Sequence, residues 1–160
     1  MASLSGFLPI SLFGTQVSAS GVSIPLRRLQ VELAFACRRG TPVFRRCLLD
    51  SRAAVSVVPL GIQQTFALTW QPLAGPWPAG LTNWMGVACE VGWIDVRHAI
   101  PQAPHLRGPF RLIAKFPQAA PAHLPGNVPI LLGLNFLTDY LATIEFQCYQ
   151  FPQAGTIVLP

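Results

Sequence analysis

The chain has 160 residues, of which 51% are hydrophobic and only 11% are charged. This composition excludes an intrinsically disordered chain, which combines low hydrophobicity with high charge. The 16 prolines and 13 glycines exclude a helical bundle or a coiled coil, because both residues are poorly tolerated inside helices. We therefore expect an all-β domain, mostly strands and loops, with one short helix.

No membrane span is predicted. Residues 53–89 contain no Asp, Glu, Lys or Arg, but glutamines, prolines and glycines interrupt this run, and a spanning helix needs about 20 predominantly apolar residues. No basic residue precedes Arg27, so the chain lacks the positively charged start of a signal peptide. These two observations favour a cytoplasmic location.

The net charge of +5 comes from ten arginines and one lysine, against six acidic residues. Six of the arginines form pairs at 27–28, 38–39 and 45–46. The pairs are open to two interpretations, a nucleic-acid-binding patch or the solvated face of one hairpin. We favour the hairpin face, because no aromatic residues alternate with the arginines to stack on bases. Nucleic acid is therefore not the expected partner.

Neither a metal site nor a cofactor is predicted. The four cysteines stand at positions 37, 47, 89 and 148, with no C-x-x-C pair and no histidine at ligand spacing. Cys37 and Cys47 flank a predicted turn, so a disulfide across that hairpin and two free thiols are both possible. Four cysteines in 160 residues do not make a disulfide scaffold, and buried free thiols are the favoured state.

In chain order, residues 1–23 are uncharged and rich in serine and glycine, which is typical of an arm or an edge strand. Residues 24–160 are predicted to form a single domain. Apolar and polar residues alternate over 24–36, as in a half-buried strand, and Val43–Leu49 is predicted to return beside it. Residues 53–58 are small or β-branched and end at Pro59.

The second half of the chain begins with a Gly/Pro-rich loop at 73–82, centred on Trp77. Strands are then predicted at 84–96, 110–116 and 128–133, separated by a proline-rich stretch. Residues 135–142 place apolar side chains at helical spacing, which predicts the short helix. Closing strands are predicted at 143–147 and 155–159.

One segment carries the residues that suggest chemistry. Asp50 ends an apolar strand and is followed by Ser51, Arg52 and Ala53. A carboxylate in an apolar setting must be hydrogen-bonded or change its proton affinity, because burying a bare charge is prohibitively costly. Asp50 is therefore the candidate functional residue.

Residues 48–59, LLDSRAAVSVVP, resemble the active-site loop of the retropepsin-like aspartic proteases, in which apolar residues precede Asp-Thr/Ser-Gly-Ala. Leu131, Leu132 and Gly133 resemble the second signature of that family, two apolar residues and a glycine leading into a helix. The order of elements also fits over residues 24–148. The resemblance implies a closed β-barrel of the acid protease type.

The resemblance implies a catalytic mechanism in which two aspartates share one proton and activate a water molecule. This chain offers one such loop, so Asp50 would come from each of two subunits of a homodimer. Ser51 would brace the loop across the twofold axis. The substrate would be a peptide or protein. Asp95 and Asp139 lack a following Ser/Thr-Gly and are interpreted as solvated surface charges.

The family also has a flap that closes over the substrate, and residues 73–82 occupy its place in the order. Gly75 and Gly80 would be its flexible points, with Trp77 near its tip. For the dimer contact, residues 156–159 are a candidate interface strand, because pairing would satisfy an exposed sheet edge.

Arg52 stands where the family has glycine, and this departure separates two hypotheses. Glycine allows a backbone geometry and a close approach that other residues hinder, and a cation beside the carboxylates opposes the shared proton. If Arg52 points outward instead, the geometry of the Asp50 loop is kept. The first hypothesis is an endopeptidase with altered activity. The second is an inactive, protease-like dimer that binds peptides or serves a structural role.

Overall fold

The computed structural model describes residues 6–100, 103–124, 128–139, 143–146 and 153–159. These residues are mostly in β-strands, as the composition predicts. The strands are β1 (Gly6–Ala19), β2 (Val22–Phe35), β3 (Val43–Leu49), β4 (Ser56–Val57), β5 (Gln71–Pro72), β6 (Asn83–Trp84), β7 (Val87–Ile100), β8 (Ala103–Pro117), β9 (Ile130–Leu132), β10 (Thr143–Phe146) and β11 (Gln153–Leu159). Two helices accompany them, α1 (Leu60–Thr65) and α2 (Leu134–Asp139).

The expectation of a single helix is wrong, because α1 is a second one. It follows Pro59, whose carbonyl accepts hydrogen bonds from the N–H groups of Ile62 and Gln63 at 3.1 Å. Six residues are too few to display a helical repeat of apolar positions, which is why the sequence gives no signal for it. The predicted helix at 135–142 is α2, which begins one residue earlier, while residues 140–142 lie outside the described ranges.

The strands follow the order β10-β11-β1-β2-β3-β9-β4-β8-β7-β5, with β6 paired to β7. Neighbouring strands are mostly antiparallel, but β3 runs parallel to β9 and β4 runs parallel to β8. The end of β2 also pairs with β7, through Ala34 opposite Arg97 and Phe35 opposite Val96. This pairing brings β2 into contact with β7, although several strands separate the two in the sheet order.

The core is built from alternate residues of these strands. Val31, Leu33 and Phe35 all point inward from β2, as the predicted period of two requires, and each is almost fully buried. Phe116 of β8 is also fully buried, and Trp70 stacks on it with ring centroids 4.1 Å apart. The apolar faces of the long strands therefore meet around large, rigid side chains.

The two ends of the chain lie within the sheet. Strand β1 pairs with β2 on one side and with β11 on the other, so residues 6–19 are an internal strand and not a separate arm. Strand β11 is in turn flanked by β1 and β10. The predicted interface strand at 156–159 therefore has no open edge, and β10 and β5 are the terminal strands in the sheet order instead.

Several strand boundaries differ from expectation, and the differences are largest in β7 and β8. The strand predicted at 84–96 starts at Val87, because Met85 and Gly86 both have positive φ and form the tight turn between β6 and β7. The strand predicted at 110–116 extends over Ala103–Pro117, with a register shift beside His98. Pairing with β7 outweighs the prolines that argue against a strand there.

Candidate functional site

Two strands position Asp50. It directly follows β3, and β9 pairs with β3 beside it. Strands β3 and β4 follow each other in the chain, and β9 lies between them, parallel to β3 and antiparallel to β4. The connection from β3 to β4 therefore crosses the end of β9. Asp50 is the first residue of that connection, and its backbone N–H donates a hydrogen bond to the carbonyl of Leu132 at 2.9 Å.

Gly133 allows this connection to lie directly on the segment that follows β9. A Cβ atom at position 133 would lie 2.6 Å from the carbonyl oxygen of Ala53 and 2.9 Å from the backbone nitrogen of Ser56. No residue other than glycine fits such an approach without displacing backbone. The contact is continued by the N–H of Leu134, which donates to the carbonyl of Ala53 at 2.8 Å, and the N–H of Asn135, which donates to that of Ala54 at 3.1 Å.

A buried polar pair, Ser56 and Asn135, fastens the same contact. The Ser56 hydroxyl is fully buried, accepts a hydrogen bond from the N–H of Gly133 at 3.0 Å and donates one to Oδ1 of Asn135 at 3.0 Å. The N–H of Ser56 donates to the same oxygen at 2.9 Å, and Nδ2 of Asn135 donates to the carbonyl of Ile113 at 2.7 Å. Sequence reasoning missed this pair. The only available signal was a serine within the apolar run 53–58 and an asparagine two residues after Gly133.

The Asp50 loop is a tight turn closed by the aspartate itself. Oδ1 of Asp50 accepts a hydrogen bond from the N–H of Arg52 at 3.0 Å, and the N–H of Ala53 donates to the carbonyl of Asp50 at 3.2 Å. This is the local side-chain-to-backbone pattern that aspartate favours in turns. Asp50 and Ala53 are half-buried, whereas Ser51 and Arg52 are exposed.

Arg52 fits the loop without backbone strain. The described non-glycine residues with positive φ are Ser20, Ala67 and Met85, so Arg52 has a φ that any L-residue can adopt. Within the described ranges, no ion pair joins the Arg52 guanidinium to the Asp50 carboxylate. The Arg52 side chain is exposed. The residue holds the Asp50 carboxylate through its backbone N–H and not through its charge.

Three cavities meet at Asp50, and we name each after a lining residue. The Arg28 cavity has a volume of about 410 Å³ and the Lys115 cavity one of about 250 Å³. The leucine cavity measures about 150 Å³ and is lined by Leu29, Leu49, Leu132, Leu134 and Leu137 beside Ser51 and Gly133. Arg52 lines both the Arg28 cavity and the Lys115 cavity. Asp50 is the one residue that all three share.

The predicted flap borders one of these cavities. Residues 73–82 contain no strand or helix, as expected, and Gly80 lines the Lys115 cavity together with Leu81 and Trp84. The Lys115 ammonium donates hydrogen bonds to the carbonyl of Gly80 and, at 3.1 Å, to that of Asn83. A lysine of β8 therefore fastens the C-terminal end of this stretch to the sheet, a contact for which the sequence holds no signal.

The other two flap residues lie away from the cavities. Trp77 is 38% exposed, and its indole N–H donates to the carbonyl of Leu73 at 3.0 Å. Gly75 packs against Trp77, because a Cβ at position 75 would lie 2.9 Å from the Trp77 nitrogen. Neither residue lines any of the three cavities. Trp77 therefore stabilises the loop from within, and movement of the loop stays a prediction.

The remaining chemical residues lie apart from Asp50. Cys37, Cys47 and Cys89 are free and buried, which confirms the thiol interpretation for these three, while position 148 lies outside the described ranges. Burial raises the pKa of the Cys47 thiol far above its usual value of 9.0. Asp95 lies on β7 opposite Arg111 of β8. The side chain of Asp139 is outside the described part of the structure.

Within the described ranges, neither a cluster of metal-binding side chains nor a helix that could span a membrane is found. No group of three or more His, Cys, Asp or Glu side chains there is arranged to hold a metal ion. Nor does that part of the chain contain a helix with the length and apolar character to cross a bilayer.

The chain was also compared with known proteins. No protein-family model, no curated protein and no solved structure matches it.

Proposed function

We propose that this chain is a retropepsin-like aspartic endopeptidase that acts as a homodimer, with Asp50 contributed by each subunit. One observation carries the proposal. The Asp50 loop and the segment Leu131, Leu132, Gly133 are about eighty residues apart in the sequence, yet they lie on adjacent parallel strands and are hydrogen-bonded to each other. Both family motifs thus belong to one site.

The homodimer follows from the number of carboxylates. Among the residues that line the three cavities, Asp50 is the only acid. The mechanism needs two, because one carboxylate must take a proton from water while the other donates a proton to the scissile carbonyl oxygen. A second copy related by a twofold axis would supply the partner carboxylate, and the pair would then titrate as a unit. The fold expected of each subunit is the acid protease β-barrel.

In this reaction the activated water attacks the carbonyl carbon of the peptide bond. The resulting tetrahedral species collapses when the amide nitrogen takes up a proton and the C–N bond breaks. The half-buried position of Asp50 at the junction of three cavities gives an extended peptide room on either side of the carboxylate. Ser51, exposed beside it, is free to brace the loop of a partner subunit.

A second candidate function is a dimer that binds peptides without cleaving them. The observation in its favour is the pair of cations, Arg52 and Lys115, that line the same cavity as Asp50. Positive charges beside two carboxylates favour the ionised forms and oppose the shared proton. The groove would be kept in this case and the hydrolysis lost.

The two candidates are separated by a cleavage assay on a mixed peptide library between pH 3 and 7. Cleavage by the wild-type chain that Asp50→Asn abolishes supports the endopeptidase, because an amide cannot act as a general base. Sedimentation at micromolar concentration tests the dimer. A monomer of 17.4 kDa that persists at high concentration would contradict the homodimer and the shared-aspartate mechanism with it.

A further inference from the structure

The walls of the cavities around Asp50 carry an excess of positive charge. Arg28 and Arg52 line the Arg28 cavity, and Arg52 and Lys115 line the Lys115 cavity. The only carboxylate in either lining is Asp50 itself. Within the described ranges, no ion pair neutralises Arg28, Arg52 or Lys115. Three cations thus face one anion across the site.

The donors of these cations are available to a bound anion. Arg28 and Arg52 are exposed, and each guanidinium carries five N–H donors in a planar fork that suits a carboxylate. Lys115 uses two of its three donors on the carbonyls of Gly80 and Asn83, which leaves one N–H for a ligand in the cavity.

The third cavity is apolar. Its five leucines lie directly beside Asp50 and Ser51. A ligand that fills all three spaces must therefore offer an apolar side chain together with negative charge. An extended peptide does so, because successive side chains of a strand point in opposite directions and reach different walls.

We propose that this cleft selects peptides in which acidic residues flank an apolar residue, with Arg28 and Arg52 as the residues that read the acidic side chains. The proposal names the substrate class of the proposed endopeptidase, and it holds equally for the peptide-binding alternative because it concerns binding. The leucine cavity favours a peptide over a nucleic acid, whose bases need aromatic surfaces for stacking.

Binding is measured by fluorescence anisotropy with the wild-type chain and three labelled eight-residue peptides. All have two central leucines joined by an uncleavable hydroxyethylene group. The flanking positions carry glutamate in the first peptide, glutamine in the second and lysine in the third. We expect the glutamate peptide to bind about tenfold more tightly than the glutamine peptide at low salt, and the lysine peptide to bind most weakly. The difference should shrink at ~0.5 M salt, since exposed charges are screened.

Two double variants locate the effect. Arg28→Gln with Arg52→Gln should remove the preference for glutamate, at about threefold per arginine, a size within the range of an exposed ion pair. Arg38→Gln with Arg39→Gln is the matched control, because these exposed arginines lie in the turn between β2 and β3 and line none of the three cavities. Both variants carry the same net charge, so the control should keep the preference.

Equal affinity for the glutamate and glutamine peptides at low salt would overturn the proposal. So would an equal loss in both double variants, or displacement of the glutamate peptide by a single-stranded oligonucleotide at lower concentration than by unlabelled peptide. Failure of the endopeptidase proposal gives a different result from failure of this inference. A chain that never cleaves but keeps the glutamate preference supports this inference alone, whereas cleavage with no dependence on acidic flanks supports the endopeptidase and refutes the inference.

Discussion

The backbone N–H of Gly133 donates a hydrogen bond to the hydroxyl of Ser56 at 3.0 Å, so the glycine after β9 is fastened to the strand that follows the Asp50 loop. The loop is thereby clamped between its own strand β3 and the motif some eighty residues away. This contact explains why Ser56 and Gly133, which carry no charge, matter for the position of Asp50.

Substitution of Gly133 should destabilise the protein more than substitution of another glycine near the site. Gly133→Ala places a Cβ 2.6 Å from the carbonyl oxygen of Ala53, and we expect a loss of about 1–3 kcal/mol in the free energy of unfolding, as for other overpacked sites. Gly80→Ala is the control, since no atom lies within 4 Å of its Cβ position. Urea unfolding measures both, and equal effects would show that the close approach is not a constraint.

Ser56→Ala should weaken the same clamp by a different route. It leaves the N–H of Gly133 buried without its acceptor, at a cost of about 1–3 kcal/mol in the free energy of unfolding. Ser51→Ala removes the same hydroxyl from an exposed position and should change stability by less than about 0.5 kcal/mol. Urea unfolding compares the two variants. A Ser56→Ala protein as stable as Ser51→Ala would mean that water replaces the lost hydroxyl.

The sequence was sufficient to predict strands where an apolar pattern and a recognisable motif lie together. Val43–Leu49 was predicted with the observed bounds, because a strand of alternating exposure ends there at Asp50. The apolar run before Gly133 predicts a strand, and β9 lies there, but a sequence cannot give the parallel pairing of β9 with β3. Both strands could be predicted because each depends on residues that are neighbours in the sequence.

The features that the sequence did not reveal depend on contacts between distant segments. Lys115 reaches the carbonyls of Gly80 and Asn83 only because β8 passes beneath the loop. The role of Asn135 likewise needs Ser56 beside it. The expected strain at Arg52 came from the family motif, yet the turn at Asp50 leaves its φ in the ordinary range. Such outcomes are decided by tertiary packing.

Lys115 should restrain the loop at 73–82. Lys115→Met removes the ammonium that holds the carbonyls of Gly80 and Asn83, so amide hydrogen exchange should accelerate across 78–84 by about fivefold, the equivalent of about 1 kcal/mol. Arg38→Met, an exposed cation in the turn between β2 and β3, is the control. Unchanged exchange in Lys115→Met would show that the loop is held by other contacts.

The lid prediction is tested on the wild-type chain with Trp77 as the reporter. If residues 73–82 close over a ligand, a peptide-like inhibitor of aspartic proteases should slow hydrogen exchange in the loop and shift Trp77 fluorescence, since this side chain is 38% exposed. Protection that is equal with and without inhibitor would identify an ordinary surface loop.

The buried thiol of Cys47 should make the fold less stable in alkali. Burial raises its pKa above the usual 9.0, so above pH 9 the unfolded chain releases a proton that the folded chain keeps. The unfolded state then binds fewer protons, and the free energy of unfolding falls with pH, by at most about 1.4 kcal/mol per pH unit for this group.

Urea unfolding between pH 8 and 10.5 measures that slope. Cys47→Ala should flatten it relative to the wild type, whereas Val57→Ala, a buried change without a titrating group, should lower stability at every pH and keep the slope. Parallel profiles for the wild type and Cys47→Ala would show that other groups cause the alkaline loss.

Arg52→Gly should raise peptide cleavage by the proposed endopeptidase. The reason is electrostatic: Arg52 lines two of the cavities that meet at Asp50, and removing a cation beside two carboxylates helps the pair to hold the single proton that the mechanism requires. The gain should be no more than about fivefold in rate, equivalent to about 1 kcal/mol, because Arg52 is exposed and its charge is screened.

The assay uses a mixed peptide library between pH 3 and 7, where activity should be highest on the acidic side. Arg39→Gly, which removes a charge from a distant exposed turn, should match the wild type, and Asp50→Asn in the Arg52→Gly background should abolish cleavage. Strong wild-type cleavage that depends on Asp50, with no gain in Arg52→Gly, would show that the guanidinium is tolerated. No cleavage by any variant whose dimer is intact would favour the peptide-binding alternative, in which Arg52 holds a ligand.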